Sequence, residues 1–209
     1  MNVTLHTTTG CNMRCEYCYT QDKTRYDMDV ETACRAVDFA AETSYGTAGI
    51  VFFGGEPLLR RELIEETIAY CDSVQKKGRC IFHFKITTNG ILLDEEFMDF
   101  ACESGLSVAL SVDGIGAAHD THRKFPDGAG SFDIVSEKLK LLLNRQPYSC
   151  VFMTVNPGTV RHYYEGVKFL FGQGVKYLVV SLNYAGAWDD ASIAELKRHP
   201  SIAPLVEGG

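Results

Sequence analysis

Six times along this 209-residue chain an apolar run suited to a strand is followed by a stretch with helical apolar spacing. Residues 2–8 alternate, with Val3 and Leu5 on one face and Thr4 and His6 on the other, as a short strand does. Residues 50–53 form a continuous apolar run, the pattern of a strand covered on both faces. Residues 80–86, 106–112, 150–155 and 175–182 read as strands three to six. Between them run helical stripes. Asp29 caps a stripe of Val30, Cys34, Val37 and Ala41 that Gly46 and Gly49 close. Leu63, Ile64, Ile68, Cys71 and Val74 mark the second helix, and Phe97 and Ala101 behind Asp94 the third. Phe132, Val135, Leu139 and Leu142 mark the fourth, and Tyr164, Val167 and Leu170 the fifth. Ile193 and Leu196 behind Asp189 or Asp190 mark the last. Residues 21–28 and the polar stretch from Asp113 to about Gly130 read as loops. Strict alternation predicts an α/β fold with a parallel sheet and right-handed crossovers. An open doubly wound sheet and a barrel both satisfy it. The length and the absence of a low-complexity linker predict one domain over residues 1–209.

In either architecture the chemistry lies on the loops that follow the carboxyl ends of the strands. Those loops hold the distinctive residues of this chain. Strand one leads into Cys11-Asn12-Met13-Arg14-Cys15-Glu16-Tyr17-Cys18, and strand two into Gly54-Gly55-Glu56-Pro57. Asn89 follows strand three, Asp113 strand four, Asn156 strand five and Asn183-Tyr184 strand six. Three thiols within eight residues suit a metal centre. A structural zinc site wants a fourth ligand, for which His6 or a distant thiol is available. A [4Fe–4S] cluster used purely for electron transfer takes four cysteines. With three, one iron keeps an open position, as catalytic metals do. The other five cysteines, Cys34, Cys71, Cys80, Cys102 and Cys150, are scattered through apolar or amphipathic runs and read as buried small hydrophobes. His6 reads as a core histidine, or else as one inside the barrel near the metal centre, and His119 as a residue that orders its loop.

The Cys-x3-Cys-x-Tyr-Cys stretch after a first strand resembles the signature of the radical S-adenosylmethionine (radical SAM) superfamily. Gly54-Gly55-Glu56 resembles the GGE motif of that family. Ser111-Val112-Asp113-Gly114, with His119-Asp120, Arg123 and Gly130-Ser131-Phe132, is similar to the branch of anaerobic sulfatase-maturating enzymes and ribosomal-peptide maturases. The resemblance covers about residues 2–196 and implies a partial (β/α)6, TIM-like barrel. It implies that Cys11, Cys15 and Cys18 ligate a [4Fe–4S] cluster whose open iron takes S-adenosylmethionine (SAM). Glu56, with the backbone of Gly54 and Gly55, then meets the SAM ammonium, and Ser111 and Arg123 meet its carboxylate. Tyr17 packs against the ligand, while Asn89 and Asn156 face its ribose and adenine. The implied reaction is reductive cleavage of SAM to a 5′-deoxyadenosyl radical that abstracts hydrogen from a peptide or protein. The electron comes from an external flavodoxin- or ferredoxin-like donor. No residue is singled out as catalytic. The second reading is a non-catalytic iron–sulfur or zinc protein that kept the fold.

Other classes are disfavoured. A net charge of −7 without a long basic run speaks against nucleic acid and anionic membranes as partners. The start lacks the pattern of a secretory signal and no apolar run is long enough to span a bilayer, so the expected place is the cytoplasm. The resembled branch continues into a Cys-rich C-terminal domain. Residues 200–209 contain no cysteine, so the sequence reads as a minimal enzyme or as a core cut off after about residue 200.

Overall fold

The computed structural model describes residues 1–20, 24–78 and 80–198. The expectations for residues 21–23 and for the tail from 199 onward lie outside the described residues. Strands β1 (Asn2–Thr8), β2 (Thr47–Gly54), β3 (Ile81–Thr88), β4 (Leu106–Ser111), β5 (Cys150–Val155) and β6 (Tyr177–Leu182) form one sheet. Every neighbouring pair is parallel and the order is that of the chain, so β1 and β6 are the two edges. Helices α1 (Val30–Thr43), α2 (Arg61–Lys76), α3 (Glu95–Glu103), α4 (Gly116–His122), α5 (Phe132–Arg145), α6 (Tyr163–Gly172) and α7 (Asp190–Lys197) lie between or after the strands. This is the partial (β/α)6 barrel.

The capping residues act as expected. Asp29 accepts from Thr32 N, Asp94 from Phe97 N and Asp189 from Ser192 N, each fixing a helix start. The core lies between the sheet and the helices. Ile50 and Phe52 of β2, Ile86 of β3, Leu110 of β4 and Val151 of β5 are fully buried against Val37, Ile64, Phe97, Leu139 and their neighbours. The opposite face of the sheet lines a trough. In a closed barrel that face would be packed, but here His83, Ser107, Tyr177 and Val179 are exposed on it.

Four expectations change. The stretch after Asp113 contains α4, whose covered face is Ala118, His119 and His122 rather than aliphatic residues, so its apolar spacing is invisible. Gly49 does not close α1; it lies inside β2, where a side chain would collide with that of Asn2. His6 is exposed, packed edge-on against Phe53 with ring centroids 5.6 Å apart, because it faces the trough and not the helices. Cys102 is exposed, whereas Cys71 and Cys80 are buried as expected. Burial pushes the Cys71 thiol up to about 12, so it is inert at neutral pH.

Candidate functional site

The site is built on the loop that leaves β1. Its first residues are pinned by Thr8, whose hydroxyl donates to Asp27 at 2.6 Å and accepts from Gly10 N at 2.9 Å. Met13 drops into the interior, 1% exposed, and holds the middle of the loop down. The far side is stitched to the end of α4. Arg14 N donates to Lys124 O at 2.8 Å, Glu16 N donates to His122 O at 3.0 Å, and the Glu16 carboxylate meets His122 Nδ1 at 2.8 Å. Cys11, Cys15 and Cys18 therefore reach a common cavity of about 220 Å³ from a loop fixed at both ends. Burial pushes the Cys15 thiol up, Arg123 pulls it back, and Cys11 and Cys18 raise it further. The other two thiols are thus close enough to be felt.

The end of β2 supports the same loop. Gly55 N donates to Thr8 O at 2.8 Å and Glu56 N to Gly10 O at 2.9 Å. Gly54 has φ +134°, and a side chain at either glycine would strike the carbonyls of Thr8, Thr9 or Gly10. The glycines allow the backbone to approach closely, and what approaches is the cysteine loop. Both also line the cavity.

Glu56 differs from its expected place. It is fully buried and does not line the cavity. Its Oε1 accepts from Thr88 Oγ1 at 2.7 Å and Leu58 N at 3.0 Å, and its Oε2 from Asn89 N at 2.8 Å. The carboxylate starts the 3-10 turn Pro57–Arg60 and ties the ends of β2 and β3 together. The three donors it accepts from all belong to the fold, two on Oε1 and one on Oε2. Burial raises its pKa while the three donors oppose that rise.

Asn89 does line the cavity, and its Nδ2 donates to Asn12 Oδ1 at 2.8 Å and lies 3.7 Å from Cys11 Sγ. Ser111, the last residue of β4, lines it as well. So do Tyr17 and Arg123, joined by a residue assigned no ligand contact from sequence. Asp113, 1% exposed, accepts from Tyr17 Oη at 2.5 Å, Arg123 Nε at 3.0 Å and Thr154 N at 2.9 Å. The guanidinium also sits 5.4 Å from the Tyr17 ring centroid. Asp113 holds Arg123 protonated well above its usual range, although burial alone would lower it. The Tyr17 hydroxyl is pushed far up by burial, so it stays a donor. His119 orders this corner, as expected. Its Nδ1 accepts from Asp113 N at 3.2 Å and its Nε2 lies 3.0 Å from Ser131 Oγ.

Asn156 is not on this cavity. It faces a neighbouring one of about 170 Å³, shared with Glu16, His122 and Asn183, and Tyr17 lines both. Its Oδ1 accepts from Asn183 at 2.8 Å, and its buried Nδ2 has no partner among the described residues. The cavity wall also includes Tyr19, Phe53, Thr87, Thr88 and Thr154, none assigned from sequence. Tyr19 stacks on Phe53 at 6.1 Å. Phe53, Thr87 and Thr154, like the assigned Ser111, are each the last or nearly last trough-facing residue of a strand, so counting by twos from the strand ends would have found them.

Three thiols on one wall, an arginine fixed at another and hydroxyls between them form an unusual donor set. The model of the radical SAM superfamily matches residues 5–171. The chain belongs to the radical SAM superfamily. The cofactors of this family are a [4Fe–4S] cluster and SAM. An uncharacterised protein of Methanocaldococcus jannaschii is 31% identical over 204 residues, 97% of this chain and 66% of that protein. A cysteine-type anaerobic sulfatase-maturating enzyme of Clostridium novyi is 27% identical over 177 residues, 81% of this chain and 47% of that enzyme. The solved structure of a tagged anSMEcpe with bound AdoMet superposes with a TM-score of 0.79 at 26% identity, covering 87% of this chain and 50% of that one. This radical SAM chain thus spans about half to two thirds of the length of such relatives. Among the described residues, no helix is long and apolar enough to cross a membrane.

Proposed function

We propose that this chain is the core of a radical SAM enzyme acting on a peptide or protein. The observation that carries the reading is that Cys11, Cys15 and Cys18 share one cavity with Asn89, Ser111 and Arg123. The residues fit the family's cofactors. The three thiols border one cavity, and thiolates are the ligands that iron–sulfur clusters take.

Cys11, Cys15 and Cys18 would hold the cluster. Arg123, with its Nε anchored on Asp113, turns the rest of its fork to a carboxylate, and Ser111 adds a hydroxyl from the end of β4. Gly54 and Gly55 present backbone, and Asn89 an amide, to the same ligand. When bound, the cluster and SAM together supply a one-electron cleavage of a carbon–sulfur bond and a carbon radical that removes hydrogen, the electron coming from a flavodoxin- or ferredoxin-like donor. The chain's own task is to orient these groups and keep water out. Phe53 and Tyr19 close one side with aromatic surface, and the Tyr17–Asp113–Arg123 unit fixes the other. A peptide substrate is favoured by the named activity of the sulfatase-maturating relative.

The test is anaerobic reconstitution with iron and sulfide, then reduction in the presence of SAM. Roughly four irons per chain, lost in Cys11→Ala, Cys15→Ala and Cys18→Ala, with release of 5′-deoxyadenosine, is the expected result. Iron uptake without any SAM binding would leave a non-catalytic iron–sulfur protein. Zinc uptake with no iron would end the cluster reading.

A further inference from the structure

Below the rim, the sheet parts. β4 and β5 pair only at Leu110–Val151 and Ser111–Phe152. Beneath that point Gln146 takes the place of a strand: its Oε1 accepts from Val108 N at 3.0 Å and its Nε2 donates to Leu106 O at 2.8 Å. The gap is a third cavity, about 490 Å³, bordered by Lys85, Ser107, Ala109, Gln146, Tyr148 and Cys150. It lies on the same trough wall as the thiol cavity. Lys85 stands two residues before Thr87 on β3, and Cys150 four before Thr154 on β5. At the rise of a strand those steps are about 7 Å and 13 Å.

Lys85 is what makes this cavity selective. It is half-buried, and its Nζ reaches across β4 to lie 5.0 Å from the Phe152 ring centroid. Ala109, the trough-facing residue between them, is small enough to be crossed. No described residue forms an ion pair with Lys85, and no trough-facing position of β1–β6 is Asp or Glu. A protein of net charge −7 thus presents, here, an acid-free wall with an ammonium in it. The ring face steadies the cation but leaves its three N–H donors to be used. With one lysine and no arginine bordering the cavity, the match is a singly charged carboxylate rather than a phosphate, which favours a guanidinium fork or several donors.

We infer that the lower cavity receives a carboxylate of the substrate against Lys85, while a carbon further up the same trough wall is presented to the thiol cavity. For an extended peptide the acid is then a side chain or chain end near the residue attacked. This inference rests on the proposed function and names the substrate chemistry of the same trough.

The experiment uses the reconstituted chain with SAM and pools of end-blocked hexapeptides, each pool fixed at one position as Glu, Asp, Gln or Lys. Retained peptide is quantified by mass spectrometry. Succinate and glutarate are tested in parallel as small carboxylates. Acidic pools should be retained about fivefold over amide and lysine pools, the upper end for a partly exposed ion pair. Lys85→Met should level the acidic and amide pools, Lys85→Glu should turn preference to the lysine pool, and Lys85→Arg should keep the original order. Binding of the small diacids through Lys85 with no acidic-peptide preference would keep the carboxylate and remove the peptide. Equal retention of all pools without diacid binding overturns the inference, as does an acidic preference that survives Lys85→Met. SAM uptake is read in the same samples. Wild-type protein that takes up SAM yet shows no Lys85-dependent preference sinks this inference alone, and protein that takes up none sinks the proposed function.

Discussion

Two buried carboxylates flank the cysteine loop, and they are held in opposite ways. Glu56, just beyond β2, is surrounded by two backbone amides and a hydroxyl, with no ion pair to it among the described residues. Asp113, just beyond β4, is paired with Arg123 and takes a further hydroxyl and an amide. Glu56 is fully buried and does not line the thiol cavity, whereas the partners of Asp113, Tyr17 and Arg123, form its wall. One carboxylate braces the scaffold. The other positions groups that a ligand would touch. A motif names a residue type at a place in the chain, and only the hydrogen-bond partners tell these two jobs apart.

The difference sets the size of the damage when each is removed. Asp113→Ala strands a buried guanidinium and leaves the Tyr17 hydroxyl and Thr154 N without an acceptor. The expected loss is about 3–5 kcal/mol, the usual cost of breaking a buried pair from one side, read by urea denaturation. In the same variant the cysteine loop should lose its anchor, so iron retention should fall too. An Asp113→Ala protein of unchanged stability would show that the pair does not hold this side.

Acid should separate the two sides next. Burial, reinforced by Arg123 and opposed by Asp113, lowers the His119 pKa from 6.5 to about 4. A depressed histidine contributes stability that is complete above pH 6.5 and disappears as the pH falls toward 4, because the unfolded chain takes up the proton first. Over that window the loss is about 3 kcal/mol at 1.36 kcal/mol per unit. The raised pKa of Glu56 has the opposite sign: its contribution is complete below the usual carboxylate pKa and declines as the pH rises through the folded value. Stability profiles between pH 4 and 7 for His119→Gln and Glu56→Gln, each subtracted from wild type, should therefore slope in opposite directions. Parallel difference profiles would mean that the two corners are not electrostatically distinct.

At neutral pH, Glu56→Gln should cost about 1–3 kcal/mol, since an amide nitrogen would face one of the donors that the carboxylate now accepts from. SAM affinity of the folded, cluster-loaded variant should stay within a few-fold of wild type. A loss of tenfold or more at little cost in stability would restore Glu56 to the ligand.

The scaffold was largely legible because its signals are local. The alternation over residues 2–8, the run at 150–155 and the capping aspartates at 29, 94 and 189 all specify elements within a few residues of themselves. Chain order also placed the distinctive residues on one rim, since parallel strands put all their carboxyl ends on one side. What each polar residue faces was hidden. Tyr17 and Asp113 are 96 residues apart, and Glu16 and His122 are 106 apart. No periodicity spans such distances. α4 was missed for a related reason: its covered histidines are satisfied by polar partners and leave no apolar stripe. The lower cavity depends on where β4 and β5 cease to pair, a register that neither strand's own sequence contains.

The smallest change tests the comparison most finely. Tyr17→Phe keeps the ring that lies against Arg123 and removes only the hydroxyl that donates to Asp113. Asp113 would retain Arg123 Nε and Thr154 N, so neither charge is stranded and the expected cost is about 1 kcal/mol. If the hydroxyl serves to aim Arg123 rather than to hold up the fold, this variant should weaken SAM binding by several-fold while its urea midpoint hardly moves. A matched fall in both would make Tyr17 another brace, and the Asp113 side would then resemble the Glu56 side more closely than the cavity wall implies.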